Sequence, residues 1–328
     1  MKLKMLSFNE ALEIVNRKIN AVVYPEKPQN LYAPIQYILT LKGKKVRPVL
    51  TLLSCNLYKE DISDAISPAL AWEIFHNFTL MHDDLMDKAE VRRGKPVVYK
   101  VWDENTAILS GDAMLILSYQ YIADISSDKL KPVLDLFSKT AMEICVGQQY
   151  DMDFEKRLDV SVDEYIEMIR LKTAVLLGAA LKTGAIIGGA TPSDAEKLYD
   201  FGMNIGLAFQ IKDDLLDVYG DPDVFGKQIG GDILCNKKTF LLINALNLVS
   251  GADKEILLQQ ITSENIAPEM KIKTVTDIYN RLNLRVIAED KMDVFYQKAL
   301  NSLHLVQVDD CKKTILADFA KDLMKRES

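Results

Sequence analysis

The stretch FHNFTLMHDDLMD, residues 75–87, continues an apolar helical pattern into three aspartates at positions i, i+1 and i+4, namely Asp83, Asp84 and Asp87. At about 3.6 residues per turn, positions i and i+4 project from nearly the same side of a helix. Asp83 and Asp87 can therefore reach one point beyond the helix, where their carboxylates repel each other unless a cation binds. Mg²⁺ suits such a point because it prefers one or two carboxylates, several waters and substrate phosphate oxygens. A single copy of this pattern is equally consistent with a solvated acidic helix end.

Apolar residues recur at helical spacing along most of the chain. The segments with this pattern are 8–23, 45–58, 65–87, 104–125, 129–156, 162–189, 193–218, 238–249 and 269–304. Turn-forming residues lie between them, at 24–30, 92–96, 190–194 and 219–232. Thr191 or Ser193 is placed to cap the helix that follows, with Pro192 in its first turn. Because no convincing strand alternation, linker or break in composition occurs, the sequence predicts a single all-α domain over residues 1–328.

Composition and charge exclude several classes of protein. Of the 328 residues, 48% are hydrophobic, which is enough for a sizeable core, and the formal net charge of −7 argues against nucleic-acid binding. The four cysteines lie far apart, without the spacing of a metal site, and the N-terminus lacks the apolar core of a signal peptide. The most apolar stretch, residues 174–190, is interrupted by Lys182 and Thr183 and is short for a membrane span. We therefore expect a cytoplasmic protein that is not integral to a membrane.

The aspartate pattern occurs twice. QIKDDLLD places Asp213, Asp214 and Asp217 at the same spacing, 130 residues after the first motif. Each copy ends a long apolar-periodic segment, and each is followed by a basic loop with glycine, RRGKP after the first and FGKQIGGD after the second. Two copies in the same context disfavour a merely solvated helix end and favour two metal-binding motifs.

Basic residues near both motifs indicate what the metal carries. They are Lys44 and Arg47 in GKKVRP, Arg92 and Arg93 in RRG, and Lys172, Lys227 and Lys237 near later turns. Arginine pairs and lysine charges beside Mg²⁺-binding carboxylates suit a diphosphate, whose oxygens bridge metals and accept bidentate hydrogen bonds. Each cluster alone is more typical of a solvated surface, and His76 alone is more typical of a core histidine. The combination predicts a diphosphate-binding protein.

The motifs GKKVRP, EIFHNFTLMHDDLMD, RRGKP, SGD, GQQYD, RLKTA, FQIKDDLLD, GKQIGGD and KKT occur in this order between about residues 40 and 245. This set resembles the trans-type isoprenyl diphosphate synthases of the polyprenyl synthetase family, the short-chain prenyltransferases that make farnesyl and geranylgeranyl diphosphate. The resemblance implies one large helical bundle with a central cavity, three Mg²⁺ ions per active site and a homodimer. It also implies condensation of isopentenyl diphosphate with allylic prenyl diphosphates.

The resemblance assigns roles residue by residue. Isopentenyl diphosphate would be bound by Lys44, Arg47, His76 and Arg93. The allylic diphosphate would be contacted by Arg92, Lys172, Lys227 and Lys237. Mg²⁺ would be held by Asp83 and Asp87, with Asp84 nearby, and by Asp213 of the second motif together with Asp214 and Asp217. Lys172, Thr173 and Gln210 would be the catalytic residues, with the oxygens of Thr173 and Gln210 facing the reacting carbons.

The implied chemistry needs no nucleophile. Ionising an allylic C–O bond leaves a carbocation beside the departing diphosphate, so the site must neutralise negative charge and offer the cation only weak dipoles. The sequence shows no candidate Ser, Cys or His triad. A terpene cyclase lacks an isopentenyl diphosphate site, and a non-catalytic synthase subunit tends to lose one aspartate motif, so intact GKKVRP and DDLLD disfavour both. A longer-chain polyprenyl synthase remains an alternative.

Three further features carry expectations. Asn236 and Leu241 stand where the family often has glycine and proline, which leaves open the entry angle of the next helix and the choice between Lys237 and Lys238. We expect the loops RRGKP and GDPDVFGKQIGGD to be mobile when empty and ordered around Mg²⁺ and diphosphate. The apolar segment AILSGDAMLILSYQYIA, residues 107–123, is expected to bury against a dimer partner.

Product length is predicted from the residues that precede Asp83. Phe78 and Phe75 lie five and eight residues before it, roughly 7 and 12 Å deeper along the helix axis, with Thr79 on the same flank. The alternative is that both phenylalanines are ordinary helix-packing core. An aromatic residue at five and a small one at four resemble the geranylgeranyl pattern, whereas a second aromatic at eight shortens the path. We expect a C20 product, with C15 next and long polyprenyl products disfavoured.

Overall fold

The computed structural model describes residues 5–220, 229–263 and 266–325. In chain order its helices are α1 (Phe8–Asn20), α2 (Gln29–Thr40), α3 (Val46–Asn56), α4 (Ser63–Met86), α5 (Val98–Val101), α6 (Glu104–Ala123), α7 (Ser127–Glu155), α8 (Val162–Ile169), a π-helix (Arg170–Ala174), α9 (Val175–Gly188), α10 (Pro192–Tyr219), α11 (Gly231–Leu234), α12 (Phe240–Leu248), α13 (Gly251–Thr262), α14 (Pro268–Arg281), α15 (Leu284–His304) and α16 (Asp310–Lys325). Two short antiparallel strands, β1 (Val91–Arg92) and β2 (Lys95–Pro96), form a hairpin after α4. The predicted all-α fold class is confirmed.

The chain divides into two compact units. Unit 1 comprises Met1–Ser138, Ala179–Leu198 and Val306–Ile315, and unit 2 comprises Lys139–Gly178, Tyr199–Leu305 and Leu316–Ser328. The first aspartate motif belongs to unit 1 and the second to unit 2. The single domain predicted over residues 1–328 stays a prediction.

Helix boundaries differ from the predictions in several places. Residues 269–304, predicted as one helix, form α14 and α15, because Asn283 between them takes a left-handed conformation with a φ of 54°. α2 contains Pro34 and begins within the turn predicted at 24–30. Among the longer helices, α2, α13 and α16 were not predicted from the periodicity. In α13 the apolar pattern is weak, since the helix buries only Leu257 and Gln260.

Close helix packing in unit 1 explains the small residues of the apolar stretch at 174–190. A Cβ added at Gly184 would lie 2.1 Å from the carbonyl oxygen of Thr51, so α9 and α3 approach at backbone distance there. The Thr51 hydroxyl donates to the Ala180 carbonyl at 3.0 Å, and the Trp72 indole N–H donates to the Thr183 hydroxyl at 3.0 Å. The helical run Val162–Gly188 is long and apolar enough to cross a membrane, but 72% of its most apolar window is buried inside the protein. Its hydrophobicity therefore serves the core.

The helix that carries Lys172 and Thr173 widens into the π-helix between α8 and α9. Glycines allow two other helices of unit 2 to pack against this widened turn. A Cβ at Gly147 of α7 would lie 2.3 Å from the Lys172 backbone nitrogen, and one at Gly206 of α10 would lie 2.7 Å from the Ala174 Cα. Short π-helical turns occur often at functional sites.

The start of α10 follows the predicted capping. Pro192 is its first residue, and the Thr191 hydroxyl accepts a hydrogen bond from the Asp194 backbone N–H at 3.2 Å. From this cap the helix runs without interruption to Tyr219 and carries the second aspartate motif in its last turns.

Candidate active site

The first aspartate motif lies at the C-terminal end of α4, where its three carboxylates have different environments. Asp87 caps the helix and is exposed, Asp83 is partly exposed, and Asp84 is only 3% exposed. Both Asp84 oxygens accept from the Arg92 Nε, at 2.8 and 2.9 Å, and a terminal Arg92 nitrogen lies 2.7 Å from Asp84 and 3.7 Å from Asp83. Arg92 therefore ties the hairpin to the helix end through the middle aspartate.

The RRGKP loop is a tight hairpin. Val91 pairs with Pro96 and Arg92 with Lys95, which leaves Arg93 and Gly94 as a two-residue turn. Both turn residues have positive φ, 53° and 73°, as a type I′ turn requires. Such a conformation is uncommon for a residue with a side chain. It brings the Arg93 guanidinium against Gly43, where an added Cβ would lie 2.8 Å from the Arg93 Cζ.

The hairpin turn thus brings Arg93 towards the other residues predicted to bind isopentenyl diphosphate. Arg47, in the first turn of α3, has a terminal nitrogen 3.1 Å from the Nε2 of His76 on α4. The Arg47 Nε atom is buried and has no hydrogen-bond partner within the described residues. Burial lowers the pKa of His76 well below its usual value, and the neighbouring Arg47 and Arg93 lower it further. His76 is therefore neutral at physiological pH. Lys44, the remaining residue predicted to bind isopentenyl diphosphate, is exposed in the loop before α3.

The second motif, on α10, repeats the burial pattern of the first with different partners. Asp213 is partly exposed, whereas Asp214 is 3% exposed and accepts from the Tyr165 hydroxyl at 2.5 Å and the Phe240 backbone N–H at 2.9 Å. Burial raises the pKa of Asp214 to about 7, and the Asp232 carboxylate adds to this rise. Asp217 accepts from the backbone N–H of Asp232 at 3.0 Å. Asp217 therefore holds the start of α11.

A small cavity of about 60 Å³ in unit 2 gathers the predicted catalytic residues. Its wall includes Lys172, Thr173 and Gln210, with the Thr173 hydroxyl donating to the Gln210 side-chain oxygen at 3.3 Å. The Lys172 ammonium lies 2.7 Å from Asp151. The wall also includes Tyr165, which the sequence analysis did not single out. Asp151 was missed as well, although it ends the quoted motif GQQYD.

Lys237 and Lys238 differ in exposure and in hydrogen-bond partners. Lys237 is exposed, 3.8 Å from Asp232, whereas Lys238 is buried and donates to the backbone carbonyls of Glu155 and Asn236. Asn236 has a φ of 54°, a left-handed conformation that glycine adopts most easily and asparagine tolerates. Asn236, which stands where the family often has glycine, therefore allows the same turn conformation. Lys227 and most of GDPDVFGKQIGGD lie outside the described residues.

The predicted chain-length residues differ in exposure. Phe75 is 1% exposed and lies in an aromatic cluster, with ring centroids 6.3 Å from Trp72 and 5.3 Å from Phe137. Phe78 is partly exposed, and its ring lies 5.5 Å from that of Phe75. Thr79 is also partly exposed, and its hydroxyl donates to the His76 carbonyl at 2.8 Å. Phe75 thus supports Phe78 from within the core.

The donor set of each motif fits Mg²⁺. In the part of the chain that the structure describes, no three His, Cys, Asp or Glu side chains cluster as an all-protein metal cage. Mg²⁺ does not need one, since it keeps several waters and binds through one or two carboxylates and substrate phosphates. Asp83 and Asp87 in the first motif, and Asp213 and Asp217 in the second, are the carboxylates that retain exposed surface for this purpose.

Sequence and structure comparisons connect this arrangement with known proteins. Residues 28–279 match the family model described as polyprenyl synthetase. The chain is 37% identical over 310 residues to a short chain isoprenyl diphosphate synthase of Methanothermobacter thermautotrophicus, covering 94% of each chain. It is 35% identical over 324 residues to a geranylgeranyl diphosphate synthase of Methanosarcina mazei, covering 95% of each.

Among solved structures, a geranylgeranyl pyrophosphate synthase is similar with a TM-score of 0.94 and 43% identity, over 99% of this chain and 100% of the other. The family is metal-dependent, in agreement with the carboxylates at both motifs. The matched residues include every motif quoted from the sequence, and the chain belongs to the polyprenyl synthetase family.

Proposed function

We propose that this chain is a Mg²⁺-dependent trans-prenyltransferase that condenses isopentenyl diphosphate with an allylic diphosphate to give a C20 product. The observation that carries the proposal is the set of residues that lie beside each aspartate motif. The first lies beside the Arg47, His76 and Arg93 group, and the second lies beside Lys172, Thr173 and Gln210. Anion-binding side chains next to Mg²⁺-type carboxylates suit a diphosphate substrate.

In this proposal Lys44, Arg47, His76 and Arg93 bind isopentenyl diphosphate. Neutral His76 can donate one N–H to a phosphate oxygen while its other ring nitrogen accepts from Arg47. The buried Arg47 Nε supplies a further donor. These groups orient the alkene so that it meets the allylic carbon, and binding energy from the diphosphate serves that orientation.

The allylic diphosphate would be held by Lys172, Lys237 and, outside the described residues, Lys227. Mg²⁺ at Asp83 and Asp87 of the first motif, and at Asp213 and Asp217 of the second, would neutralise diphosphate charge. The Thr173 hydroxyl and the Gln210 side-chain oxygen, 3.3 Å apart, offer the carbocation weak dipoles that cannot trap it covalently. The released diphosphate is then the base that removes the final proton.

The middle aspartates and Arg92 have positioning roles in this proposal rather than the metal and substrate contacts that the resemblance implies. Asp84 and Asp214 are each 3% exposed, and their oxygens accept hydrogen bonds from the protein. Asp84 places the hairpin through Arg92, and Asp214 places the start of α12 through Phe240. The outer aspartates, Asp83, Asp87, Asp213 and Asp217, would bind Mg²⁺.

Product length follows from Phe78, whose ring is partly exposed and is supported by buried Phe75. We propose that Phe78 ends the path of the growing chain at C20. A homodimer in the cytoplasm is also part of the proposal. It is supported by the exposure of apolar residues on α6, where Leu109 is 61% and Ile116 is 62% exposed. A monomer in sedimentation would contradict the dimer.

One assay tests the function. The purified chain is incubated with Mg²⁺, labelled isopentenyl diphosphate and each of the C5, C10 and C15 allylic primers, and the products are dephosphorylated and separated by length. We expect C20 alcohol as the main product and no product when EDTA replaces Mg²⁺. A main product of C15, or of C25 and longer, would contradict the chain length, and no condensation with any primer would contradict the activity.

A further inference from the structure

A buried ion pair lies beneath the residues proposed to bind isopentenyl diphosphate. Lys45 is 6% exposed and Glu73 is 1% exposed, and the Lys45 Nζ lies 3.0 Å from a Glu73 carboxylate oxygen. Neither residue belongs to the predicted binding group. Removing two charges from water costs several kcal/mol per ion. The attraction between the two ions offsets this cost only if their geometry and remaining hydrogen bonds are good. The pair therefore needs a role that a simple apolar contact would not fill.

Lys45 fixes the loop that carries the binding residues. Its backbone is left-handed, with a φ of 44°, at the position just before α3. Its Nζ reaches back to donate to the Leu39 carbonyl at 2.9 Å, in the last turn of α2. The same ammonium is thus held by α2 and by Glu73 of α4. Lys44 precedes Lys45 directly and Arg47 follows two residues later, so both are placed by this anchor.

Glu73 is held in place from its own helix. The Asn77 side-chain amide, one turn further along α4, donates to the Glu73 carboxylate at 2.9 Å and to its carbonyl at 2.8 Å. Burial lowers the pKa of Arg47 and of Arg93, and in both cases the Glu73 carboxylate opposes that fall. Glu73 therefore acts electrostatically on cations from the loop, from α3 and from the hairpin.

We infer that Glu73, through its ion pair with Lys45, is a positioning residue for the diphosphate-binding group of Lys44, Arg47, His76 and Arg93. The group converges several like charges, which repel one another in the absence of an anion. One buried carboxylate offsets that repulsion from below, while the exposed side stays open to a diphosphate ester. The buried Arg47 Nε, without a hydrogen-bond partner in the described part of the chain, is a donor that such an ester can satisfy. This inference rests on the proposed function.

The single variants Glu73→Gln and Lys45→Met each leave a buried charge without its partner, and such variants lose stability for that reason alone. The double variant Glu73→Gln with Lys45→Met removes both charges, keeps the side-chain length at position 73 and leaves an unbranched side chain one atom shorter at position 45. It separates a role in stability from a role in positioning. Lys59 and Asp64 form a matched control in unit 1, with Nζ and Oδ2 2.7 Å apart on the protein surface. Lys59→Met with Asp64→Asn removes the same types of charge away from the binding group.

The experiment measures KM for isopentenyl diphosphate, KM for the allylic primer, kcat and the melting temperature. In the buried-pair double variant we expect KM for isopentenyl diphosphate to rise about tenfold, with kcat and the allylic KM within about twofold of wild type. The single variant Lys45→Arg keeps the positive charge and should therefore retain most of the affinity for isopentenyl diphosphate. The surface double variant should leave all kinetic constants unchanged.

An unchanged KM for isopentenyl diphosphate in the buried-pair double variant would overturn the inference, whatever its melting temperature. Calorimetric titration with isopentenyl diphosphate separates this result from a failure of the proposed function. If the wild type binds isopentenyl diphosphate but does not condense it, the proposed reaction fails, and the affinity of the double variant still decides the role of Glu73. A wild type that does not bind isopentenyl diphosphate at all overturns both.

Discussion

Asp84 and Asp214 hold the same place in the two aspartate motifs, and each is 3% exposed, yet their partners differ. Asp84 accepts from the cationic guanidinium of Arg92, whereas Asp214 accepts from two neutral donors, the Tyr165 hydroxyl and the Phe240 N–H. Burial raises the pKa of both carboxyls. Arg92 opposes the rise at Asp84, and the pKa of Asp214 reaches about 7. The first motif is thus built around an ion pair, and the second around a carboxyl that changes charge near neutral pH.

The outer aspartates should behave alike in the two motifs, in contrast to the middle ones. Asp83→Ala and Asp213→Ala should each lower kcat by about a thousandfold or more, because each removes a proposed Mg²⁺ ligand that offsets leaving-group charge. Steady-state kinetics at saturating Mg²⁺ measure this. Asp277→Ala, an exposed aspartate on α14, is the control and should retain full activity. Full activity of either outer variant, or of the wild type in EDTA, would refute the metal role.

The middle aspartates should differ in what their loss costs the fold. Asp84→Asn breaks a buried, multiply bonded ion pair and leaves Arg92 with only the more distant Asp83 carboxylate at 3.7 Å, which should cost about 3 kcal/mol of unfolding free energy. Asp214→Asn keeps an acceptor oxygen for Tyr165 and Phe240 and should cost less than about 1 kcal/mol at pH 8. Urea denaturation in EDTA compares the two. Equal losses would show that the partners of the two carboxyls are equivalent in energy.

The pH dependence of stability tests Asp214 alone. Its pKa rises from 3.8 to about 7 on folding, so between these values the folded state binds a proton that the unfolded state has released. The contribution of Asp214 to the unfolding free energy must therefore fall as pH rises from about 4 to about 7, by an amount on the order of 1 kcal/mol or more. In Asp214→Asn this contribution is absent, so the stability of the variant relative to the wild type should rise across that window and level off above it. Denaturation curves in EDTA at several pH values measure this, and a constant difference would contradict the raised pKa.

The last comparison concerns the residues five positions before each motif. Substitutions there should change the reaction rate least and are tested through product length. Phe78 occupies this position in α4, and buried Ala208 occupies it in α10. Phe78→Ala should lengthen the main product by about one isoprene unit, more so with Phe75→Ala added, because the path beyond the ring opens. Ala208→Gly should leave the product length unchanged. Chromatography of dephosphorylated products decides, and the same length distribution in wild type, the Phe78 variant and the double variant would place the end of the path elsewhere.

The sequence alone determined the fold class and the positions of both aspartate motifs. Helical periodicity and an i, i+4 spacing are local properties, so residues 75–87 predict a helix with two carboxylates on one side before any neighbour is known. The cap at Thr191 and Pro192 was predicted for the same reason. The family resemblance followed from the order of short motifs along the chain.

The tertiary structure decided which charges are buried and which partners they take. GKKVRP does not show that Lys44 is exposed while Lys45 pairs with Glu73, 28 residues away, because the cost of burying a charge depends on groups that only folding brings together. Two identical DDxxD patterns likewise do not show that one middle carboxyl binds Arg92 and the other Tyr165. Hydrogen-bond partners and desolvation are set by the packing around each helix end, which the residues of the motif do not specify.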